Sequence, residues 1–492
     1  MTTTTMTLSK RKIDWNRLFF LFTGILLFTI VHFSPAWPDA IDPSGKHFVL
    51  SPQAKGALAI FLMAGTWWVF EVIPIGVTSL AIGVLQVLFL VRSAESAFKD
   101  FMTPSVLFIF ASLMIGTVFT KTGLTRRLAY MMLSVVGEKT SRIYLGCFVV
   151  TAALSHIMAH TAVAATMYPL LVTIYAMYAD DDNPTNFGKG LFIGMAFIAG
   201  AGSIVTLLGS ARAAVAIGFY KDIIGTEISF FGLSYYMFPI GWIMVFVLWG
   251  FLMIFLKPEK KSIPGLKDKV KKLSAEMGGL TKNEIMAAII VFGCILIMSL
   301  RSFVPFLKPI DKTAIILTST VLFFVLRILD IKDLESIPWN ILLLFGGAMS
   351  IGFCLWETGA AEWLAIKWLS LFLEAHWFVF VMGIAFFVMI MTNFIMNVAA
   401  IAISLPVALV IAPYLGVAPE VILFASLVTA GMPFLLLVGA APNAIAYDSG
   451  QFTTGEFLKF GIPASIILML IVGFSVLVLW PIMGMSILTP GN

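Results

Sequence analysis

The feature that most constrains this chain is the recurrence of apolar runs about 20 residues long, each sufficient to cross a hydrocarbon core of about 30 Å as a helix. "VLFIFASLMIGTVF" (106–119) and "IILMLIVGFSVLVLW" (466–480) are the centres of two of them. Inside a bilayer every backbone N–H and C=O must be paired within the protein, and runs of this length achieve that as helices rather than as the shorter alternating strands of a barrel. With 60% hydrophobic and 12% charged residues, the chain reads as an all-α integral membrane protein. Spans are predicted near 18–35, 56–75, 76–92, 104–121, 188–218 and 234–256, then near 284–304, 312–328, 338–356, 420–446 and 459–485. That makes about eleven transmembrane helices. Two further regions, near 143–176 and 376–411, are too long for one crossing and too short for two with a turn, so each predicts a re-entrant hairpin.

The first run follows Lys10, Arg11, Lys12 and Arg17 and lacks a small-residue cleavage site, so it reads as an uncleaved span. Cys147, Cys294 and Cys354 fall inside apolar runs and imply neither a disulfide framework nor a metal cluster. "KPEKKSIPGLKDKVKK" (257–272), the amino terminus and "KTGLTRR" (121–127) are basic, which places all three on the cytoplasmic side. The amino terminus is then cytoplasmic and the carboxyl terminus external, in a plasma (inner) membrane. The chain divides into an amino terminus, first span and external loop (1–55), a first half (56–256), a basic linker (257–283) and a second half (284–492). The linker reads as a solvated segment that sets topology, with contact to anionic membrane lipid as the alternative.

Three blocks recur in the same order. "FTKTGLTRRLA" (119–129) resembles "LWETGAAEWLA" (355–365); "SHIMAHTAVAATMYP" (155–169) lies over "TNFIMNVAAIAISLP" (392–406); "GSARAAVAIGFY" (209–220) lies over "GAAPNAIAYDSG" (439–450). Together they predict a duplication. Five crossings per copy, an odd number, give the copies opposite orientation, which is the inverted repeat of many secondary transporters.

A hairpin whose tip lies at mid-membrane exposes free carbonyls at the end of its first arm and free N–H groups at the start of its second. The N–H end favours an anion, and the carbonyl end, helped by hydroxyl or amide oxygens, favours a small cation. "AGAGSIVTLLGSARAA" (199–214) and "TAGMPFLLLVGAAPNA" (429–444) are rich in the residues that loosen a helix, and are expected to unwind around the same cavity.

The repeat layout, "WWVFEVIPIGVTSL" (67–80), both tips and "GAAPNAIAYDSG" give the chain a resemblance to the divalent anion/sodium symporter family, along essentially its whole length. The resemblance implies a homodimer in which a scaffold half of each subunit stays fixed while a transport half, carrying both hairpins, moves as an elevator. It implies substrate contacts from His160, Thr161, Asn397 and Val398 at the tips and from Ser203, Arg212 and Asn443 in the unwound spans. It implies cation sites at Ser155 and Gly202 and at Thr392 and Asn397, with sodium as the coupling ion and no cofactor. The family's tips usually read Ser-Asn-Thr, and its turns Pro-Pro-Asn or Ala-Pro-Asn. Here the tips read Ala159-His160-Thr161 and Met396-Asn397-Val398, and the first turn reads Ala211-Arg212-Ala213.

His160 therefore stands where the family has a sodium-ligating asparagine. An imidazole can hydrogen-bond a carboxylate but brings no oxygen to a cation. His156, four residues earlier, lacks a third ligand for zinc and is expected to pack. Arg212 is costly in a membrane span unless paired. Two readings stand: an anionic substrate, whose carboxylate a guanidinium grips in a fork, or a structural acid such as Glu71, Glu357 or, above all, Asp448. Glu71 itself reads as a structural or interfacial acid, and Trp67, Trp68, Trp339 and Trp363 as interfacial anchors. The "LAYMMLSVV" stretch after Arg126 and Arg127 looks amphipathic, an arm on the cytoplasmic surface or an ordinary connector.

The function expected is secondary transport of small organic polyanions, C4-dicarboxylates or related citrate and tartrate. Permanent charge on Arg212 and His160 makes empty return unfavourable and leans the reading to anion exchange or reduced sodium dependence. The alternatives are sodium-coupled dicarboxylate symport and carriage of sulfate or an organosulfonate. No H-E-x-x-H, G-x-S-x-G or nucleotide-binding loop occurs, so an enzyme or primary pump is not expected. The net charge of +5 reflects cytoplasmic loops and does not call for nucleic acid.

Overall fold

A computed structural model describes residues 14–41, 45–181, 183–369 and 376–489. The charges at Lys10, Arg11 and Lys12 lie outside them. The first half runs through α1 (Trp15–Phe33), α2 (Pro52–Val69), α3 (Ile75–Leu88), the short α4 (Ala94–Lys99), α5 (Pro104–Thr122), α6 (Leu124–Val136), α7 (Thr140–Leu154), α8 (His160–Tyr178), α9 (Asn186–Ser203), α10 (Ala211–Ile224) and α11 (Phe230–Phe255). After α12 (Leu266–Glu276) in the linker come α13 (Lys282–Leu300), α14 (Lys312–Val325), the short α15 (Ile331–Glu335), α16 (Trp339–Glu357), α17 (Ala360–Leu369), α18 (Trp377–Phe394), α19 (Asn397–Tyr414), α20 (Pro419–Ala430), α21 (Ala441–Tyr447) and α22 (Thr454–Phe474). A π-helical turn, Ser475–Leu479, leads from α22 into a last short turn, α23 (Trp480–Ile482). Among the described residues nine helices are long and apolar enough to cross a membrane, and four shorter apolar helices accompany them.

The sequence logic is local. Ser51, Thr103, Ser229, Thr281 and Thr453 each accept a backbone N–H from the first turn of the helix they precede, meeting donors that would otherwise be orphaned in an apolar medium. Gly123 and Gly359, at φ 82° and 79°, end α5 and α16 in the left-handed conformation that only glycine adopts without strain. These are the glycines of Thr122-Gly123 and Thr358-Gly359 in the first pair of recurring blocks. Prolines enter α8 at Pro169 and α19 at Pro406, and α11 at Pro239 and α22 at Pro463. Nearly every residue of α9 and α20 is buried, whereas α1 and α13 show Phe19, Phe22, Ile289 and Phe292 outward, as lipid-facing helices do.

One backbone detail is shared by the two halves. α3 and α14 both end in a left-handed non-glycine residue, Leu90 and Arg327, each at φ 55°. In one, Val91 and Arg92 donate to the Gln86 carbonyl; in the other, Ile328 and Leu329 donate to the Phe323 carbonyl.

Two expectations need correcting. Trp68 and Trp363 are buried rather than interfacial, and the indole N–H groups of Trp67, Trp68 and Trp363 donate to the backbone carbonyls of Leu21, Ile75 and Pro38; Trp339 alone of the four is exposed. The linker is not simply solvated. Thr140 donates through N–H and Oγ1 to the carbonyls of Lys261 and Lys260, Ile263 N–H donates to Glu138 O, and Glu259 accepts from Tyr178 OH at 2.8 Å and Asn186 N–H at 2.5 Å. Residues 259–263 thus strap together the entry of α7 and the exit of α8. Leu266 and Val270 bury α12 against α6, and Arg127 of α6 forks onto Glu284 and onto the carbonyls of Met277, Gly278 and Gly279.

Candidate functional site

Each helical hairpin turns where the sequence places its hydroxyl, amide and imidazole groups. α7 ends at Leu154 and α8 begins at His160; α18 ends at Phe394 and α19 begins at Asn397. The residues before those starts share one conformation, Ala159 at φ −54°, ψ 133° and Met396 at φ −58°, ψ 143°. Neither has a side-chain cap, which leaves first-turn N–H groups free for a ligand.

The first tip meets the break between α9 and α10. Ser155 is buried and its Oγ donates to the Thr151 carbonyl at 2.7 Å. His156 Nδ1 lies 2.9 Å from the Gly202 carbonyl; a carbonyl only accepts, so Nδ1 carries the proton. The His156 carbonyl accepts from Thr206 Oγ1 at 2.5 Å, and its ring meets Trp242 edge-on. His156 therefore packs, as expected, and also staples the tip to the end of α9. Gly209 sits so close to the Ser155 carbonyl that a side chain there would collide with it. The His160 ring lies against the Gly209 backbone within the field of Arg212, its enclosed Nδ1 without a partner among the described residues. Thr161 is half-buried beside it.

Arg212 is only 2% exposed. Its Nη2 donates to Ser203 Oγ at 2.8 Å, Ser203 in turn donates to the Gly200 carbonyl at 2.7 Å, and Arg212 Nε has no partner among the described residues. No carboxylate among them pairs with the guanidinium. Asp448 and Glu71 are exposed, and Glu357 is held by Arg92 at 2.7 Å. The structural salt bridge entertained from sequence is absent among the described residues.

The second tip meets the break between α20 and α21. Thr392 Oγ1 lies 3.1 Å from Asn397 Oδ1 and 3.0 Å from the Ala430 carbonyl. Asn393 accepts from Leu435 N–H and Leu436 N–H, and Asn443 donates to the carbonyls of Pro433 and Leu436. Asn443, expected at the substrate, thus has its amide donors committed to shaping the unwound loop, leaving its carbonyl oxygen. Val398 is buried next to Asn397.

Glycine joins the two breaks. A Cβ on Gly200 would lie 2.7 Å from the Gly431 carbonyl, and one on Gly431 would lie 2.5 Å from Arg212 Nη2. Arg212 therefore sits at the junction of both unwound segments. Cavities of about 600 Å³, reaching Leu207 and Ala214, and about 520 Å³, along Ala162, Ala165 and Thr166 of α8, flank the region. Neither is lined by His160, Arg212 or Asn397.

Sequence reasoning missed Thr206 and Asn393, which fix the breaks to the tips. It also passed over a buried network in which Arg92 donates to Asp100 at 2.7 Å and to Gln86, while Gln86 donates to Ser350 at 2.9 Å. The signal, Arg92 and Asp100 flanking the short α4, looked like an ordinary mixed loop.

Known proteins bear on this geometry. The sodium-dependent dicarboxylate transporter SdcS of Staphylococcus saprophyticus is 25% identical over 463 residues, covering 90% of this chain and 89% of the relative. SdcS of Staphylococcus aureus is 26% identical over 457 residues, covering 88% and 87%. In fold the chain is similar to Neisseria gonorrhoeae MtrF (TM-score 0.58, 15% identity, 97% and 96% covered) and to the Alcanivorax borkumensis YdaH transporter (TM-score 0.58, 13% identity, 95% and 98% covered). The family model described as the sodium:sulfate symporter transmembrane region matches residues 15–486, and the chain belongs to that family: it is a multi-pass membrane transporter, not an enzyme.

Proposed function

We propose that this protein carries small organic polyanions, C4-dicarboxylates such as succinate, malate or fumarate or the related citrate and tartrate, by exchange or with reduced sodium dependence. The observation that carries the reading is the guanidinium of Arg212, buried at the junction of the two breaks with no carboxylate partner among the described residues. A buried cation without a counter-ion is expensive, and a substrate carboxylate relieves that cost by a charge-assisted, forked contact. The uncapped starts of α8 and α19, with His160, Thr161, Asn397 and Val398, supply further donors and shape for a second carboxylate. That relatives at 25–26% identity are sodium-dependent dicarboxylate transporters supports the substrate class and sodium as the coupling ion.

Alternating access follows the elevator scheme, in a homodimer of inverted repeats embedded in the inner membrane and its lipid, amino terminus inside and carboxyl terminus outside. After substrate leaves, the arginine charge must cross the membrane uncompensated, which slows empty return and favours exchange. Sodium-coupled symport is the second reading, favoured by the oxygens gathered around Thr392.

The test is uptake of labelled succinate into proteoliposomes, with sodium or potassium outside and with or without succinate inside. Exchange predicts uptake that requires internal succinate and needs no sodium gradient to drive it. Sodium-driven uptake into empty vesicles would replace exchange with symport, and no uptake in any arrangement would move the substrate to sulfate or an organosulfonate.

A further inference from the structure

The two tips have the same backbone and opposite chemistry, and we infer that only the second takes a coupling cation, so that one sodium ion, not one at each tip, accompanies each substrate. This rests on the carrier reading and deepens it.

At the first tip, of the two groups that the family resemblance assigns to sodium, the Gly202 carbonyl is already occupied by the protein's own donors, as are the polar groups beside it, and Ser155 Oγ is left to turn its proton onto the Thr151 carbonyl. The Gly202 carbonyl accepts from His156 Nδ1 at 2.9 Å and from Val205 N–H at 3.3 Å. The adjoining Ser203 Oγ accepts from Arg212 Nη2 at 2.8 Å, and the His156 carbonyl accepts from Thr206 Oγ1. Where an amide oxygen belongs, His160 offers a ring. A bare sodium ion needs several oxygens with free lone pairs, and here it would also enter beside a fixed positive charge. Sodium does not fit this tip.

At the second tip the balance is reversed. Thr392 Oγ1, Asn397 Oδ1 and the Ala430 carbonyl converge within 3.1 Å of the hydroxyl, and that hydroxyl has a single proton to share among the contacts. Such a cluster is rich in lone pairs and poor in protons, which suits a small cation. In the aligned "GSARAAVAIGFY" and "GAAPNAIAYDSG" blocks, Pro442 stands where the first copy has Arg212, so the second break brings no cation of its own. Charge closes on the same count: a dianion is balanced by the arginine and one sodium. Arg212 thus takes the electrostatic part of the missing ion.

The test is equilibrium binding of radiolabelled sodium to the purified, detergent-solubilised full-length protein, with succinate present and absent. One ion per protomer, abolished by Thr392→Ala and retained in Ser155→Ala, is the expected result. Two ions per protomer, none, or a single ion that survives Thr392→Ala would each overturn the inference. Thermal unfolding of both variants checks that they are folded, and the wild-type count needs no variant. Failure of succinate uptake would overturn the substrate reading while leaving the ion count intact, so the two failures are distinguishable.

Discussion

Arg212 reaches Ser203 through one hydrogen bond of 2.8 Å and meets no carboxylate among the described residues, so most of its charge is left for something the protein does not itself provide. Arg212→Gln removes the charge and keeps much of the volume. A hydrogen bond to a charged group contributes about 1.5–3 kcal/mol, which predicts a fall in succinate affinity of roughly 10- to 100-fold. The thermal midpoint without substrate should stay level or rise, because an unpaired buried cation is removed. A large drop in that midpoint with unchanged transport would make Arg212 structural. Substrate-induced thermal shift and exchange rate are the two readouts.

Two glycines should respond to alanine in opposite ways. A Cβ on Gly209 meets the backbone oxygen of Ser155, which has nowhere to move, so Gly209→Ala should lower stability by about 1–3 kcal/mol as overpacked sites do. A Cβ on Gly431 meets the ends of two side chains, Arg212 and Ile204, each at 2.5 Å. Gly431→Ala should therefore fold with a near-normal midpoint and lose exchange, because the guanidinium is pushed aside. Equal effects of both on the midpoint would contradict this.

Glu284 is 1% exposed and depends on the Arg127 fork. Arg127→Ala leaves a buried carboxylate without its partner, at an expected cost of about 3–5 kcal/mol. Adding Glu284→Gln should recover part of the loss. If unfolding of the single variant matches wild type, the clamp between α6 and the linker contributes nothing to stability.

On the opposite side, Glu227 in the loop between α10 and α11 pairs with Lys312 at 3.0 Å and Arg301 at 3.7 Å. Burial works against its charged form, but Lys312 and then Arg301 outweigh it and hold the carboxyl below its ordinary 4.5. A depressed carboxylate contributes stability that is present above the ordinary value and lost as pH falls through the lower, folded value. Stability should thus decline below about pH 4.5, and Glu227→Gln should flatten that part of the curve while lowering stability near neutrality. A profile unaltered by the variant would remove Glu227 from the account.

Much of this architecture is legible in the sequence, for identifiable reasons. Helical spans follow from the length of apolar runs, and Gly123 and Gly359 end helices because the left-handed turn there demands glycine. The tips were legible because polar residues in an apolar run have few uses. What escaped depended on partners distant in the chain. Nothing local shows that Trp363 reaches Pro38, that Glu357 belongs to Arg92 rather than Arg212, or that Asn443 faces its own loop. The linker's role was hidden for the same reason: lysine content announces topology, whereas the bonds from Lys260 and Lys261 to Thr140 are made by backbone carbonyls that composition does not reveal.

Leu90 and Arg327 hold the same left-handed turn at φ 55°, although one side chain is apolar and the other cationic. A non-glycine residue in that region carries a penalty of about 1–2 kcal/mol, and it has been accepted at both positions with unrelated side chains. The bend itself is therefore what each half needs there, indifferent to what hangs from it. His160 and Asn397 divide the matter the other way, with a shared bend carrying an imidazole at one tip and an amide at the other, which the one-sodium proposal assigns to different guests. Between these two pairs lies a practical rule for altering the molecule: change side chains at the tips to move selectivity, and leave the turns after α3 and α14 alone.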